Sequence, residues 1–155
     1  MSTVHVFDIA SKVWFAQSTT GISELSSDSL CFVVASAEDN SSHNIYVLYG
    51  GVGTNMFDIW VLTLPAFQWV RVYLTGDTSN SGGTTGYTCH KVHEKHMVAY
   101  RGLNFNDTCD SDEGVGKHQG MAILDMSSLE WTTKVEVENQ RYLVPERLYK
   151  IIGGK

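Results

Sequence analysis

The chain has 155 residues, a formal charge of −6, 43% apolar residues, three cysteines and no run of Lys or Arg. Phosphate binding needs clustered cations, so neither nucleic acid nor an anionic membrane surface is an expected partner. No stretch approaches the roughly 18 consecutive apolar residues of a spanning helix, so no direct membrane insertion by this segment is expected. The N-terminus also lacks the basic and long apolar regions of a signal peptide.

In chain order, residues 4–9 and 13–17 read as a hairpin turning at Ala10-Ser11-Lys12. A Ser-rich polar connector follows over residues 19–29. Residues 30–34 begin a sheet, and residues 45–49 form a continuous apolar run, the pattern of a strand buried on both faces between stacked sheets. Gly50-Gly51 ends that strand, because glycine lets the chain turn away with φ > 0. Residues 58–64 and 68–73 complete a four-stranded meander, and Pro65 suits the turn between them. Beyond a Gly/Ser/Thr linker over residues 75–83, a second meander is expected from residues 86–94, 96–101, 119–125 and 130–137. Its insertion over residues 103–118 is long and acidic, with Asp107, Asp110, Asp112 and Glu113. Long loops on a rigid scaffold are where binding specificity concentrates.

Two patterns repeat through these elements. In the first, a strand carries an acidic or Thr residue, turns, and places a Trp six positions later: Asp8 and Trp14, Thr63 and Trp69, Asp125 and Trp131. In the second, an apolar strand closes on glycine at Gly50-Gly51, Gly102 and Gly153-Gly154. Both recur at about 50–60 residues, and strands with double glycines at that period are the signature of β-propeller blades. The expected fold is therefore all-β: a partial β-propeller of about three blades of four-stranded antiparallel sheet, with an incomplete ring. Residues 1–20 are expected to end one blade, 29–74 and 86–138 to form two more, and 142–155 to supply a terminal strand. An arc of this kind leaves apolar faces open, expected at Ile45, Val47, Tyr49, Ile59 and Val61, so the isolated chain should associate or aggregate.

The motif residues resemble kelch repeats, in which a double glycine is followed by an aromatic residue and then, nine positions on, by Trp. Gly50, Gly51, Trp60 and Trp69 match this arrangement. His5 and Ala122 occupy the aromatic position in the other two units, and Arg101-Gly102 departs from the glycine pair. More narrowly, the text is similar to the kelch-type propellers of filamentous fungi, which share the Cys89-His90 pair, the Cys109-Asp110 pair and an ending like Tyr142-Leu143-Val144-Pro145 with Gly153-Gly154. In that family the ending marks the last propeller strand and precedes a linker and a membrane anchor, which favours an extracellular or cell-surface location over a cytoplasmic one. The resemblance implies a non-catalytic module showing rim loops to a protein or glycan, with no cofactor. The alternative is a fragment of a propeller enzyme similar to galactose oxidase, but no motif of that enzyme can be matched residue by residue.

Other constellations are weaker. Cys89, His90, His93 and His96, with Asp110 and His118 nearby in sequence, contain metal-ligating types. Their irregular spacing, and the opposite faces that residues 90 and 93 occupy on a strand, favour a plain hairpin, so no metal site is expected. Cys89 and Cys109 are either a disulfide around the second strand of their blade, with Cys31 single, or two free thiols. Asn40-Ser41-Ser42 and Asn106-Asp107-Thr108 are glycosylation sequons. The glycine-rich stretch around Lys117 lacks the hydroxyl residue and glycine spacing of a phosphate loop.

Overall fold

A computed structural model describes residues 2–21, 29–50, 59–72, 84–85, 88–100, 103–104, 121–132, 134–138 and 141–152. The chain opens with a two-stranded antiparallel hairpin, β1 (Thr3–Asp8) and β2 (Val13–Ser18). A four-stranded antiparallel sheet follows in simple meander order: β3 (Ser29–Ser36), β4 (His43–Gly50), β5 (Ile59–Leu64) and β6 (Gln68–Val72). After a two-residue strand β7 (Thr84–Thr85), the second meander comprises β8 (Thr88–Val92), β9 (His96–Tyr100), β11 (Met121–Asp125) and β12 (Glu130–Thr132). β10 (Leu103–Asn104) pairs with β7. None of these sheets closes on itself. The architecture is thus a partial all-β propeller: half a blade and two full blades.

Alternation along each strand decides which blade touches which. In the first full blade, Cys31, Leu48, Ile59 and Val72 lie in one cross-strand row, and Val33, Tyr46, Val61 and Val70 in the next. These residues are buried against Met97, Ala99 and Leu124 of the second blade. The opposite face of β4 and β5 contributes Val47 and Leu62, which with Trp69 form a second cluster that takes in Val4 of the hairpin. β4 is therefore apolar on both faces because it has a neighbour on both, as its unbroken run implied. Each fully buried aliphatic side chain here contributes about 1.5–3 kcal/mol.

The three Trp-bearing hairpins share one backbone plan. Trp14, Trp69 and Trp131 stand opposite Phe7, Leu62 and Leu124 in register. Two positions before each Trp, the last turn residue has positive φ: Lys12 at 56°, Phe67 at 50° and Leu129 at 62°. The polar residue six positions before the Trp closes the turn. Asp8 accepts hydrogen bonds from the N–H groups of Ala10 and Ser11. Asp125 accepts from those of Ser127 and Ser128, and the Thr63 hydroxyl donates to the Gln68 carbonyl. Short side chains that satisfy nearby backbone groups are what such turns require.

The hairpin is tied to the outer edge of the first full blade. Thr20 forms a parallel bridge with Gln68: its N–H donates to Phe67 O (2.9 Å) and its carbonyl accepts from Trp69 N–H (2.8 Å). This covers backbone groups of an edge strand that would otherwise be free to pair elsewhere. Gly21 follows at φ 76°, and a Cβ there would lie 2.3 Å from the Trp69 carbonyl oxygen, so only glycine fits.

Two expectations need correction. Residues 146–152 form a helix, α1 (Glu146–Ile152), where a terminal strand was expected. Glu146 sits in its first turn and Lys150 in its last, paired at 2.6 Å, an arrangement that suits the helix dipole. A strand needs a neighbouring edge, and no described strand pairs with this segment, whereas a helix satisfies its backbone internally. The uncovered apolar surface also lies elsewhere than expected. Val47, Ile59 and Val61 are buried, whereas Leu30, Phe32 and Val34 of β3 and Phe7, Val13, Trp14 and Phe15 of the hairpin are exposed. Tyr49's side chain and Gly51, Gly102, Gly153 and Gly154 lie outside the described residues.

Trp69 is 6% exposed and Trp14 65% exposed although they occupy equivalent motif positions. Trp69→Ala should therefore cost roughly 3–5 kcal/mol, and Trp14→Ala well under half of that, in denaturant melts followed by circular dichroism. Equal losses would show that motif position, not packing, sets their contributions.

Candidate functional site

A dense polar cluster among the described residues sits where the two full blades meet, at the end carrying their short turns. It is organised by the β11–β12 turn. The Tyr46 hydroxyl on β4 donates its one proton to the Met126 carbonyl (2.9 Å). In the 2.8 Å contact between the Tyr46 and Tyr142 hydroxyls, Tyr142 must then be the donor. Tyr142 in turn accepts from Asn44 Nδ2 at 3.1 Å. A directional chain results, from Asn44 through Tyr142 and Tyr46 to the backbone of the second blade. The two tyrosine rings meet edge to face at 6.2 Å. One residue further on, Leu143 N–H donates to Ser127 Oγ (2.9 Å). The C-terminal segment is thus clamped to both blades, and buried Leu148 of α1 joins their shared core.

Lys95 anchors the outer side of the same turn. Its ammonium lies 2.9 Å from Asp125 and 2.8 Å from Glu136, and these bonds hold its pKa above the ordinary lysine range, Glu136 contributing most. Burial is the largest influence on Asp125 and pushes its carboxyl up. Lys95 and the N–H groups of Ser128 and Ser127 together outweigh burial and hold it below the usual range. His96 is fully buried 3.9 Å from Asp125, and burial lowers its pKa. Burial also raises both tyrosines, Tyr142 to about 12 and Tyr46 well above 10.0. The tyrosines are therefore neutral hydrogen-bonding groups, Lys95 is a fixed cation and His96 a neutral ring. The tyrosine chain links the two blades, and the Lys95 cluster fixes the turns of the second one.

The second inter-blade link is covalent. Cys31 on β3 is bonded to Cys89 on β8, with Cα atoms 5.4 Å apart. This replaces the expected Cys89–Cys109 pairing and the expectation that Cys31 is single. The innermost strands of the two blades lie side by side, which sets a cysteine from each within bridging distance. Cys109 lies outside the described residues. Closing a loop with a sequence separation of 58 stabilises by about 4 kcal/mol in the chain-entropy model.

The other singled-out residues fall as follows. Trp131 is half-buried and packs against the inter-blade core. Trp60 is half-buried, with the Arg71 guanidinium 5.9 Å from its ring centroid. His90 and His93 are exposed, and Cys89 is held in the disulfide. Among the described residues no three His, Cys, Asp or Glu side chains are arranged to hold a metal. Asn40 is exposed at the tip of the β3–β4 turn. Asn106, Asp110 and His118, like most of the acidic insertion, lie outside the described residues. No described helix is long and apolar enough to cross a membrane. Sequence reading missed the tyrosine–asparagine chain, since Asn44 and Tyr46 look like ordinary strand residues until the C-terminal segment is placed on them.

Two outcomes test this site. Under denaturing, non-reducing conditions the chain should show at most one reactive thiol, and Cys31→Ser should release Cys89 to titration; three reactive thiols in secreted material would remove the bridge. The second concerns pH. His96 is buried neutral with a folded pKa below its ordinary 6.5, so its contribution is complete above about pH 6.5 and lost as pH falls toward the lower folded value. Asp125 has the opposite charge type: its contribution is present above its ordinary 3.8 and lost as pH falls through the depressed folded value. Urea melts should give stability that is level near neutrality and declines below about pH 6.5, and His96→Gln should flatten the upper part of that decline.

No family model matches the chain. In sequence it is 31% identical over 138 residues to a "Kelch repeat-containing protein" of Arthroderma benhamiae, a match covering 84% of this chain and 19% of that protein. With the stacked four-stranded blades and the repeated Trp hairpins, this match makes the chain a relative of the fungal kelch repeat-containing proteins.

Proposed function

We propose that the chain is part of a larger kelch-type propeller that works as a non-catalytic interaction module, presenting rim loops to a protein or glycan partner at the cell surface or outside the cell. The observation that carries this reading is the pattern of covered and uncovered motif residues. Trp69 and Trp131 each pack toward the preceding unit, while Trp14, in the same position of the first hairpin, stands open beside Phe7 at a ring distance of 5.0 Å. Leu30, Phe32 and Val34 are open on the face of β3 that a complete preceding blade would cover. These surfaces fit further blades, and the polar cluster between the blades is consumed in holding the arc together. The loops that remain for recognition leave the opposite end of the sheets, between β4 and β5 and between β9 and β11.

The test uses the longer protein that contains this chain, probed on a glycan array and by cross-linking at the surface of the cells that make it. Replacing residues 105–118 with a Gly/Ser linker should abolish the selected binding by at least tenfold while leaving the melting temperature unchanged. Binding that survives the replacement would place recognition elsewhere. Copper-dependent oxidation of a primary alcohol by the same protein would favour the oxidase reading.

A further inference from the structure

We propose that Asn40 is an N-glycosylation site, placed at the tip of the β3–β4 hairpin on the short-turn rim of the first full blade. Three observations converge on it. The acceptor triplet Asn40-Ser41-Ser42 occupies a turn held by its own backbone: Ala37 N–H donates to Ser42 O, and Asn40 N–H donates to Ala37 O, both at 2.9 Å. Ser41 N–H donates to Asp39 Oδ1 at 3.0 Å, which fixes the turn between its two ends. Asn40 itself has φ 57°, a left-handed conformation that Asn tolerates better than most residues, and it is exposed to solvent. A glycan on its carboxamide therefore extends outward without disturbing any strand pairing.

Ser42 is only 7% exposed. The transfer enzyme must read this hydroxyl, so the glycan is added while the hairpin is still unfolded, and folding then buries the serine and leaves Asn40 outside. The Cys31–Cys89 bridge supplies the independent observation. It requires an oxidising compartment, in which two thiols give up two protons and two electrons to a disulfide-bearing oxidant. In eukaryotic cells that compartment also carries out glycan transfer. The transfer itself is a substitution with no change of oxidation state. The Asn40 Nδ2 atom loses a proton and bonds to the anomeric carbon of a lipid-diphosphate-linked oligosaccharide. The bond from that carbon to the diphosphate oxygen breaks, and the lipid diphosphate leaves with the electron pair.

The whole chain, secreted behind a leader from a eukaryotic host, is digested and treated with peptide N-glycosidase in heavy-oxygen water. The peptide containing Asn40 should be recovered as the labelled Asp form. Asn40→Asp, which keeps a residue tolerant of positive φ, should lose one glycan step on a gel while still migrating as the cross-linked form without reductant. Ser42→Ala should lose the same step. An unmodified Asn40 peptide in the secreted chain overturns the proposal, as does a full glycan complement in Asn40→Asp. If little chain is secreted, the same peptide is read from chain protected inside microsomes, where an unmodified Asn40 is equally decisive against it.

Discussion

The dry contact between the two four-stranded sheets is the constraint on which the rest of the molecule depends. A single meander cannot bury an apolar face by itself; each such face needs a neighbour packed on it. In this chain the rows through Leu48 and Tyr46 are covered by Met97, Ala99 and Leu124, and two further links reinforce that contact. The disulfide joins the two inner strands, and the Asn44–Tyr142–Tyr46 chain ends on the turn of the other blade. The C-terminal helix then adds Leu148 to the seam. The covalent and polar links hold opposite ends of the blades, so the sheets cannot slide without breaking one of them.

The polar links are more exacting than the apolar ones. An apolar contact tolerates small shifts, but a buried hydroxyl or ammonium that loses its partner leaves a desolvation cost of about 1–3 kcal/mol, and more for a charge. Lys95 sits at this limit, with two carboxylates sharing its charge and Asp125 also closing the turn. Removing Asp125 would leave Lys95 with Glu136 alone and would also take away the acceptor that closes the turn. Turn closure is what the acidic or Thr residue six positions before the Trp does in all three hairpins, and in the third it also pairs with Lys95.

What could be read from the sequence and what could not divides along the range of the interactions. The hairpins were legible because Asp8 and Trp14, or Asp125 and Trp131, interact within a few residues and leave a short, repeated pattern. β4 was legible because burial on both faces removes the alternation that a half-exposed strand shows. The disulfide partner was not, because Cys31 and Cys89 are brought together only by the packing of separate blades, while the nearer Cys109 looked equally available. The terminal helix was not, because a short run such as Leu148-Tyr149-Lys150-Ile151-Ile152 satisfies strand and helix patterns alike, and the choice falls to whichever backbone partners are at hand. His96 read as a member of a histidine cluster; in the fold its neighbours His90 and His93 remain exposed and it alone is buried.

The equivalence of the three Trp positions carries the argument furthest toward function. One backbone plan places the same side chain in three environments, and the neighbouring unit differs: a full blade for Trp131, a hairpin for Trp69, and solvent for Trp14. Repeat proteins owe their stability to such interfaces between successive units, so a motif residue reports on its neighbour as much as on its own blade. The cores between blades are thereby committed to stacking, and the short-turn rim is occupied by the tyrosine chain, the lysine cluster and the hairpin tip bearing Asn40. On the proposed function, recognition falls to the loops that join β4 to β5 and β9 to β11 at the other end of the sheets.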